Sequence, residues 1–352
     1  MAAGDSGKEL EAGPQGPDGT SPCCMPGLYR SGKHKMNYDF CLCCLKPLSK
    51  EELDTGYHKR CLRKLFGQPT VPKVELSDEI MEALARKSSS KGITVAGVQK
   101  KLSLHLASDK KTSLSRLTLV GHPQGYILKP QSADFPFLPE AEQVVMSMAQ
   151  EARIPAVSHG LIFSSDQKLS YITKRIDRLE DGNKIHMEDF CQLSQRLTED
   201  KYKGSYEQCT KIIQHYSSQP GLDTSELFYR LIFCFITGNS DMHLKNFSLL
   251  QNADGSWALS PAYDLLPVNL IMSDDKEETA LTLNGKKSRI ARKDFLAFAD
   301  AAGIPETAAS KMISRLLLKK DIFIGQARTP LLPQEMQEKF AELIEKRCSK
   351  LI

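Results

Sequence analysis

The pattern of apolar residues changes near residue 178, and this change limits the folds that the chain can adopt. Before it, short β-type runs alternate with turns: KLSLHL (101–106), LSRLTLVG (114–121), GYILKP (125–130), GLIFSS (160–165) and KLSYITKR (168–175). One segment with helical spacing, PEAEQVVMSMAQEA, interrupts these runs. After residue 178 most segments have helical spacing, MEDFCQLSQRL among them, and one hairpin pattern (NFSLLQNADGSWALSPAYDLL) lies between them. We therefore predict an α/β (α+β) fold with a sheet-rich lobe followed by a helical lobe.

Composition divides the chain into four predicted segments. Residues 1–36 are rich in Gly, Pro and Ser and have too few apolar residues to form a core, so a disordered leader is expected there. Residues 37–75 carry a cluster of cysteines. The sheet-rich lobe is expected over 76–178 and the helical lobe over 179–352.

Charge and hydropathy exclude some classes of function. The net charge of +4 is too small to indicate nucleic-acid or membrane binding by itself. No run of apolar residues is long enough for a transmembrane helix, and the N-terminus lacks the apolar stretch of a secretory signal. A cytoplasmic protein without membrane contact is expected.

The segment TGNSDMHLKNFSLL carries the clearest chemical pattern. Asp241 and Asn246 are five residues apart in a polar loop, and Asp264 follows the next hairpin. Phosphoryl transfer needs one carboxylate that accepts the proton of the attacking hydroxyl, and further oxygen ligands for Mg²⁺. Protein kinases place an Asp, an Asn five positions beyond it, and a later Asp in this order. Asp and Asn are also common in turns and caps, so this pattern alone leaves a purely structural loop open.

Three features of the first lobe, together with these residues, give the order in which protein kinases place their functional residues along the chain. The small-residue turn Gly97–Lys101 runs into a strand, where backbone N–H groups could hold phosphate. Lys129 ends the strand GYILKP, and Glu142 follows on the predicted helix, where it could pair with this lysine. Six elements in the same order as in kinases favour ATP as the cofactor, with Mg²⁺.

From about residue 90 to 290 the chain resembles the HipA family of bacterial serine/threonine kinase toxins. The matching stretches are GVQKKLSL, YILKP, YITKRIDR, MEDFCQL, GNSDMHLKNFSLL and LSPAYDLLP. The resemblance implies a two-lobed kinase fold with Asp241 as catalytic base, Asn246 and Asp264 as Mg²⁺ ligands, and Lys129 on the ATP phosphates. It implies a phosphate loop formed by Gly97, Val98, Gln99, Lys100 and Lys101, and adenine contacts from the backbone of Lys174, Arg175 and Ile176. Lys245 is expected near the γ-phosphate, and His243 is expected to support the loop.

The resemblance also suggests partners and regulation. Family toxins phosphorylate a protein such as an aminoacyl-tRNA synthetase, and a DNA-binding antitoxin holds them, so any contact with DNA would be indirect. This chain resembles the shorter HipT-like form, in which the missing N-terminal subdomain is a separate small protein. Thr94 occupies the place of a self-phosphorylated serine in the family, although Val95 and Ala96 separate it from Gly97.

The cysteine cluster has the spacing of a zinc site. Cys41 and Cys44 form one pair, and His58 and Cys61 form a second pair after thirteen intervening residues. Two such pairs supply four ligands for a tetrahedral structural Zn²⁺. Cys43 could substitute in the pairing, and a cluster of thiols without metal stays open. A small zinc-knuckle-like segment before the kinase lobes is predicted.

Two other functions stay open at this point. A kinase for a small metabolite would use the same catalytic residues, and a kinase fold without activity could act as a binding module.

Overall fold

The computed structural model describes residues 28–31, 35–74, 101–108, 115–119, 125–164, 167–179 and 182–352. The strands of this part are β1 Leu28–Ser31, β2 Lys35–Tyr38, β3 Lys73–Val74, β4 Leu102–Ser108, β5 Ser115–Leu119, β6 Tyr126–Lys129, β7 His159–Phe163, β8 Leu169–Lys174, β9 Met187–Asp189, β10 Ser248–Gln251 and β11 Trp257–Leu259. The helices are α1 Lys59–Phe66, α2 Leu138–Glu151, α3 Phe190–Leu193, α4 Tyr206–Tyr216, α5 Pro220–Ile236, α6 Val268–Ile271, α7 Arg292–Ala301, α8 Glu306–Leu317, α9 Lys320–Ala327 and α10 Gln334–Ser349.

A six-stranded sheet forms the first lobe, in the order β3-β5-β4-β6-β8-β7. Its neighbours are antiparallel except for β3 and β5, which run parallel. Each of the five strand patterns in the sequence corresponds to one of its strands. Helix α2 packs on β7 and β8, and all but its last two residues are buried. The edge strand β3 comes from the Cys-rich segment, so that segment is joined to the sheet.

Helices form most of the second lobe, as the sequence predicts. Helix α5 lies at its centre, with its residues from Leu227 to Ile236 all buried. Phe228 and Phe235 on this helix contact Phe295 of α7 through their rings. A three-stranded sheet, β11-β10-β9, lies beside these helices. The two lobes meet where the N–H of Val157 donates to the carbonyl of Ala262.

The structure differs from the sequence prediction in one segment. The pattern of MEDFCQLSQRL predicts a helix, but Met187–Asp189 is a strand that pairs with β10, and only Phe190–Leu193 is helical. The short strand β1 pairs antiparallel with β2. The predicted leader over residues 1–36 stays a prediction. Among the described helices, none is long and apolar enough to cross a membrane.

Candidate active site

A buried lysine joins the sheet, helix α2 and the second lobe. The Nζ of Lys129 lies 2.5 Å from Oε1 of Glu142 and 2.6 Å from Oδ1 of Asp264. Lys129 and Glu142 are 2% and 0% exposed. A buried charge is stable only when it is paired, so these three groups depend on one another. The structure therefore brings together the predicted phosphate lysine, its helix partner and a predicted Mg²⁺ ligand.

Local backbone structure places these groups. Lys129 is the last residue of β6, and α2 presents Glu142 to it from the layer that covers β7 and β8. Asp264 follows the β10–β11 hairpin with φ of 55°, in the left-handed region. A non-glycine residue there costs about 1–3 kcal/mol, and such strain clusters at functional sites.

The same carboxylate also binds a second lysine. Lys101, the last residue of the predicted phosphate loop, has its Nζ 2.6 Å from Oδ2 of Asp264. Burial raises the pKa of Asp264, but the ammonium groups of Lys101 and Lys129 outweigh burial and hold that pKa well below its usual range. Burial likewise lowers the pKa of Lys129, while Asp264 and Glu142 raise it above its ordinary value. Asp264 and Lys129 are therefore both charged at neutral pH.

The predicted catalytic loop follows helix α5. Its single helical turn, Leu244–Asn246, brings Asn246 back so that its Nδ2 donates to the carbonyl of Asp241 at 2.8 Å. The Oδ1 of Asp241 accepts a hydrogen bond from the hydroxyl of Tyr202 at 2.6 Å. Burial raises the pKa of Asp241, although this hydrogen bond and the charge of Lys201 lower it. A carboxylate with a raised pKa is a better proton acceptor.

Two other residues of the loop have partners of their own. His243 is 4% exposed, and burial, followed by the charge of Lys201, lowers its pKa to about 3. It is neutral at physiological pH and packs edge-on against Tyr202, which agrees with a role in loop structure. The Nζ of Lys245 lies 2.6 Å from Oδ2 of Asp189, the residue that caps α3. The predicted contact of Lys245 with the γ-phosphate stays a prediction.

A cavity of about 480 Å³ lies between the two lobes and contains these groups. Its apolar lining includes Ile127, Val157, Ile176 and Leu266. Seven cationic side chains line it: Lys101, Lys129, Lys174, Arg175, Lys184, Lys201 and Lys245. Four acidic side chains line it: Asp177, Asp189, Asp241 and Asp264. An apolar region beside an excess of positive charge suits a ligand with a flat base and several phosphates.

The predicted adenine-binding strand lines the same cavity, and two of its backbone N–H groups already donate hydrogen bonds within the protein. The N–H of Lys174 donates to the carbonyl of Ser158, and the N–H of Arg175 donates to the carbonyl of Gly125, both at 2.8 Å. The side chain of Arg175 pairs with Asp177 through two hydrogen bonds. An adenine contact from this strand would therefore use Ile176 or carbonyl groups.

Sequence reasoning missed two residues of the site. Lys201 and Tyr202 face Asp241 from the loop between α3 and α4, and no spacing in the sequence marks them. Their only signal is an aromatic residue between lysines in the segment DKYKG. Gly97, Val98, Gln99, Lys100 and Thr94 lie outside the described residues.

The predicted zinc ligands also come together, away from this cavity. One ligand atom from each of Cys41, Cys44, His58 and Cys61 lies within 4.8 Å of all the others. Cys43 is not part of this group.

Known proteins resemble the chain in sequence. A protein of Haemophilus influenzae, whose name describes it as a candidate kinase, is 27% identical over 315 residues, covering 80% of this chain and 89% of the relative. The similarly named Y4dM of Sinorhizobium fredii is 35% identical over 221 residues, covering 58% of this chain and 52% of the relative. The match thus spans about half the length of the second relative.

Structure and family comparisons agree with these relatives. The toxin–antitoxin complex of HipA, HipB and operator DNA from Shewanella oneidensis contains a chain with a TM-score of 0.62 and 18% identity, covering 76% of this chain and 70% of that one. This likeness confirms the two-lobed, kinase-like fold. The model of the HipA-like C-terminal domain matches residues 93–320, which is more than half of the chain. The chain therefore belongs to the HipA-like C-terminal domain family.

Proposed function

We propose that this protein is an ATP- and Mg²⁺-dependent serine/threonine protein kinase that acts as the toxin of a HipA-type toxin–antitoxin system. The observation that carries the proposal is the contact of Lys129 with both Glu142 and Asp264, in a cavity that also contains Asp241 and Asn246. Phosphoryl transfer uses a lysine that binds phosphate, oxygen ligands for Mg²⁺ and a carboxylate that accepts a proton. Here these groups are Lys129, the pair Asn246 and Asp264, and Asp241 with its raised pKa.

The donor set fits the proposed cofactors. Asp264 offers a carboxylate with a lowered pKa, and Asn246 offers Oδ1 because its Nδ2 is bonded to Asp241. Hard oxygen ligands of this kind suit Mg²⁺, which would supply charge neutralisation at the phosphates when bound. Lys101 and Lys129 would bind the phosphates, and Ile176 would contact the adenine from the apolar part of the cavity.

The side chains of the second lobe would then direct the transfer. Asp241 orients the hydroxyl of a substrate serine or threonine and accepts its proton. The hydroxyl oxygen forms a bond to the γ-phosphorus as the bond from that phosphorus to the bridging oxygen of ADP breaks. Lys201 lies where its charge acts on the Asp241 carboxylate, and it would also stabilise the negative charge of the transferred group. Loss of Asp241 should therefore affect turnover more than ATP binding.

The biological partners are proposed from the family. The relative from Shewanella oneidensis is named as part of a complex with HipB and operator DNA. We infer a DNA-binding antitoxin and a separate small subdomain-like protein as partners of this chain, and a translation component such as an aminoacyl-tRNA synthetase as its substrate. Thr94 is the proposed site of self-phosphorylation.

The test is phosphate transfer from labelled ATP by the purified protein and in cells that express it. Asp241→Asn should lower the rate about 10²–10⁴-fold, the usual contribution of a general base. Asp264→Asn should in addition weaken Mg·ATP binding. Asp254→Asn makes the same chemical change in an exposed hairpin turn outside the cavity and serves as the matched control.

Three results would contradict the proposal. Activity of Asp241→Asn within about tenfold of wild type would remove its role as base. Label that appears on small molecules and never on protein would indicate a metabolite kinase. ATP binding without any turnover would indicate a binding module.

A further inference from the structure

Four side chains of the Cys-rich segment have the geometry of a closed metal site. The Nδ1 of His58 lies 3.3 Å from Sγ of Cys44 and 3.9 Å from Sγ of Cys61. A tetrahedral zinc ion with ordinary bond lengths separates its ligand atoms by about 3.5–3.8 Å. Together with Cys41, these atoms all lie within 4.8 Å of one another. Four protein ligands leave no open position, so such a site would be structural.

Neighbouring groups orient the ligands as they do in metal sites. The Nε2 of His58 lies 3.0 Å from the carbonyl of Pro47, so the ring donates on that side and turns Nδ1 toward the sulfurs. The backbone N–H groups of Cys43 and His58 lie 3.5 and 3.4 Å from Sγ of Cys41. Such donors stabilise a metal-bound thiolate and fix the tautomer of a ligating histidine.

The segment that carries these ligands is fastened to the first lobe. The carbonyl of Leu42 accepts from the N–H of Leu161 at 2.9 Å, and the hydroxyl of Tyr57 donates to the carbonyl of Leu161 at 2.8 Å. A Cβ on Gly160 would lie only 2.7 Å from Sγ of Cys43. The segment therefore sits so close to β7 that a side chain at position 160 would push it away.

A second attachment reaches the helix of the candidate active site. The Nε2 of Gln143, on α2, donates to the carbonyl of Cys43 at 2.8 Å. Its Oε1 accepts from Nδ1 of His159 at 2.9 Å. Gln143 is 0% exposed and directly follows Glu142, the partner of Lys129. The position of the cysteine-bearing loop is thus coupled through one buried amide to the helix that supplies Glu142.

We propose that Cys41, Cys44, His58 and Cys61 bind one Zn²⁺, and that the bound metal holds the segment in the shape that anchors α2 and Glu142. The metal replaces the thiol protons of three cysteines, and the neutral imidazole supplies the fourth ligand. Without it, the short segment has little core of its own, and the loop that accepts from Gln143 loses its fixed shape. The effect on catalysis, but not the metal site, rests on the proposed kinase function.

Metal content and hydrogen exchange test the two parts of the proposal. Wild type and Cys43→Ala, purified without chelators, should carry about one zinc per chain, whereas Cys44→Ser and His58→Ala should lose it. Removal of zinc by a zinc-selective chelator should speed amide exchange in residues 138–151 about tenfold or more, and added zinc should reverse this. Gly160→Ala keeps all four ligands and should retain zinc while showing the faster exchange.

The results separate the possible failures. No zinc in wild type would overturn the metal site. Zinc that is present but can be removed without any change in α2 exchange would overturn the coupling. In zinc-free protein, phosphorylation should fall roughly 10²-fold, the cost expected for a small displacement of a catalytic group. A zinc-loaded wild type that phosphorylates nothing would contradict the proposed function alone, because metal content and exchange are measured without it.

Discussion

Replacement of Lys129 by methionine should destabilise the protein through the carboxylates it leaves behind. Methionine has a similar length and no charge, so packing changes little. Glu142 is 0% exposed, and Lys129 is its ion-pair partner at 2.5 Å. Removal of one partner from a buried ion pair typically costs about 3–5 kcal/mol. Against a usual unfolding free energy of about 5–15 kcal/mol, this is a large loss.

The loss should depend on pH in a defined direction. Burial already raises the pKa of Glu142 in the wild type, although Lys129 lowers it. Without Lys129 that pKa rises further above its value in the unfolded chain. A group with a raised folded pKa contributes stability below its unfolded pKa, and this stability is lost as pH rises through the folded pKa. Lys129→Met should therefore be far less stable than wild type at pH 8 and closer to it at pH 5.

Urea unfolding followed by circular dichroism measures this effect. The double variant Lys129→Met/Glu142→Gln removes the buried carboxylate and should recover part of the loss at pH 8. Lys311→Met, at an exposed position of α8, makes the same substitution without a buried partner and should change little. A loss below about 1 kcal/mol for Lys129→Met at pH 8, or no recovery in the double variant, would refute the reasoning.

Two further predictions concern the second lobe. Tyr202→Phe removes the hydrogen bond that lowers the pKa of Asp241, so the acid limb of the pH–rate profile should move to higher pH. An unchanged acid limb would contradict the role of Asp241 as base. If Lys245 binds phosphate, Lys245→Met should lower kcat/KM for ATP more than Asp189→Asn does, and steady-state kinetics of both variants measure this. Equal losses would indicate that the lysine acts only through its pair with Asp189.

Much of the site could be predicted because it depends on order and spacing along the chain. Lys129 ends a strand whose apolar pattern is clear, and Glu142 lies on a helix with strong periodicity. Asp241 and Asn246 are close in sequence, so their spacing survives in the folded loop. Asp264 follows a hairpin that the Asp-Gly pair marks. The structure places all five in or against one cavity.

Other features could not be predicted because they depend on contacts distant in sequence. Met187–Asp189 has a helix-compatible pattern, but pairing with β10, some 60 residues later, makes it a strand. Tyr202 meets Asp241 only because the loop before α4 folds over the catalytic loop. The contact between Cys43 and Gln143 spans 100 residues, and no pattern near either residue indicates it.

Helix α2 is held at two neighbouring residues that point to different parts of the molecule. Glu142 reaches Lys129 at the cavity, and Gln143 reaches Cys43 in the Cys-rich segment. Displacement of the helix would break both contacts together. It would leave the buried Glu142 carboxylate without its ion pair and the Gln143 amide without its acceptor in the Cys-rich segment. Because the two contacts are made by adjacent residues of one helix, we expect them to be kept or lost together. Under the proposed coupling, a change at the cysteine cluster would therefore reach Lys129 through α2, without any direct contact between the two sites.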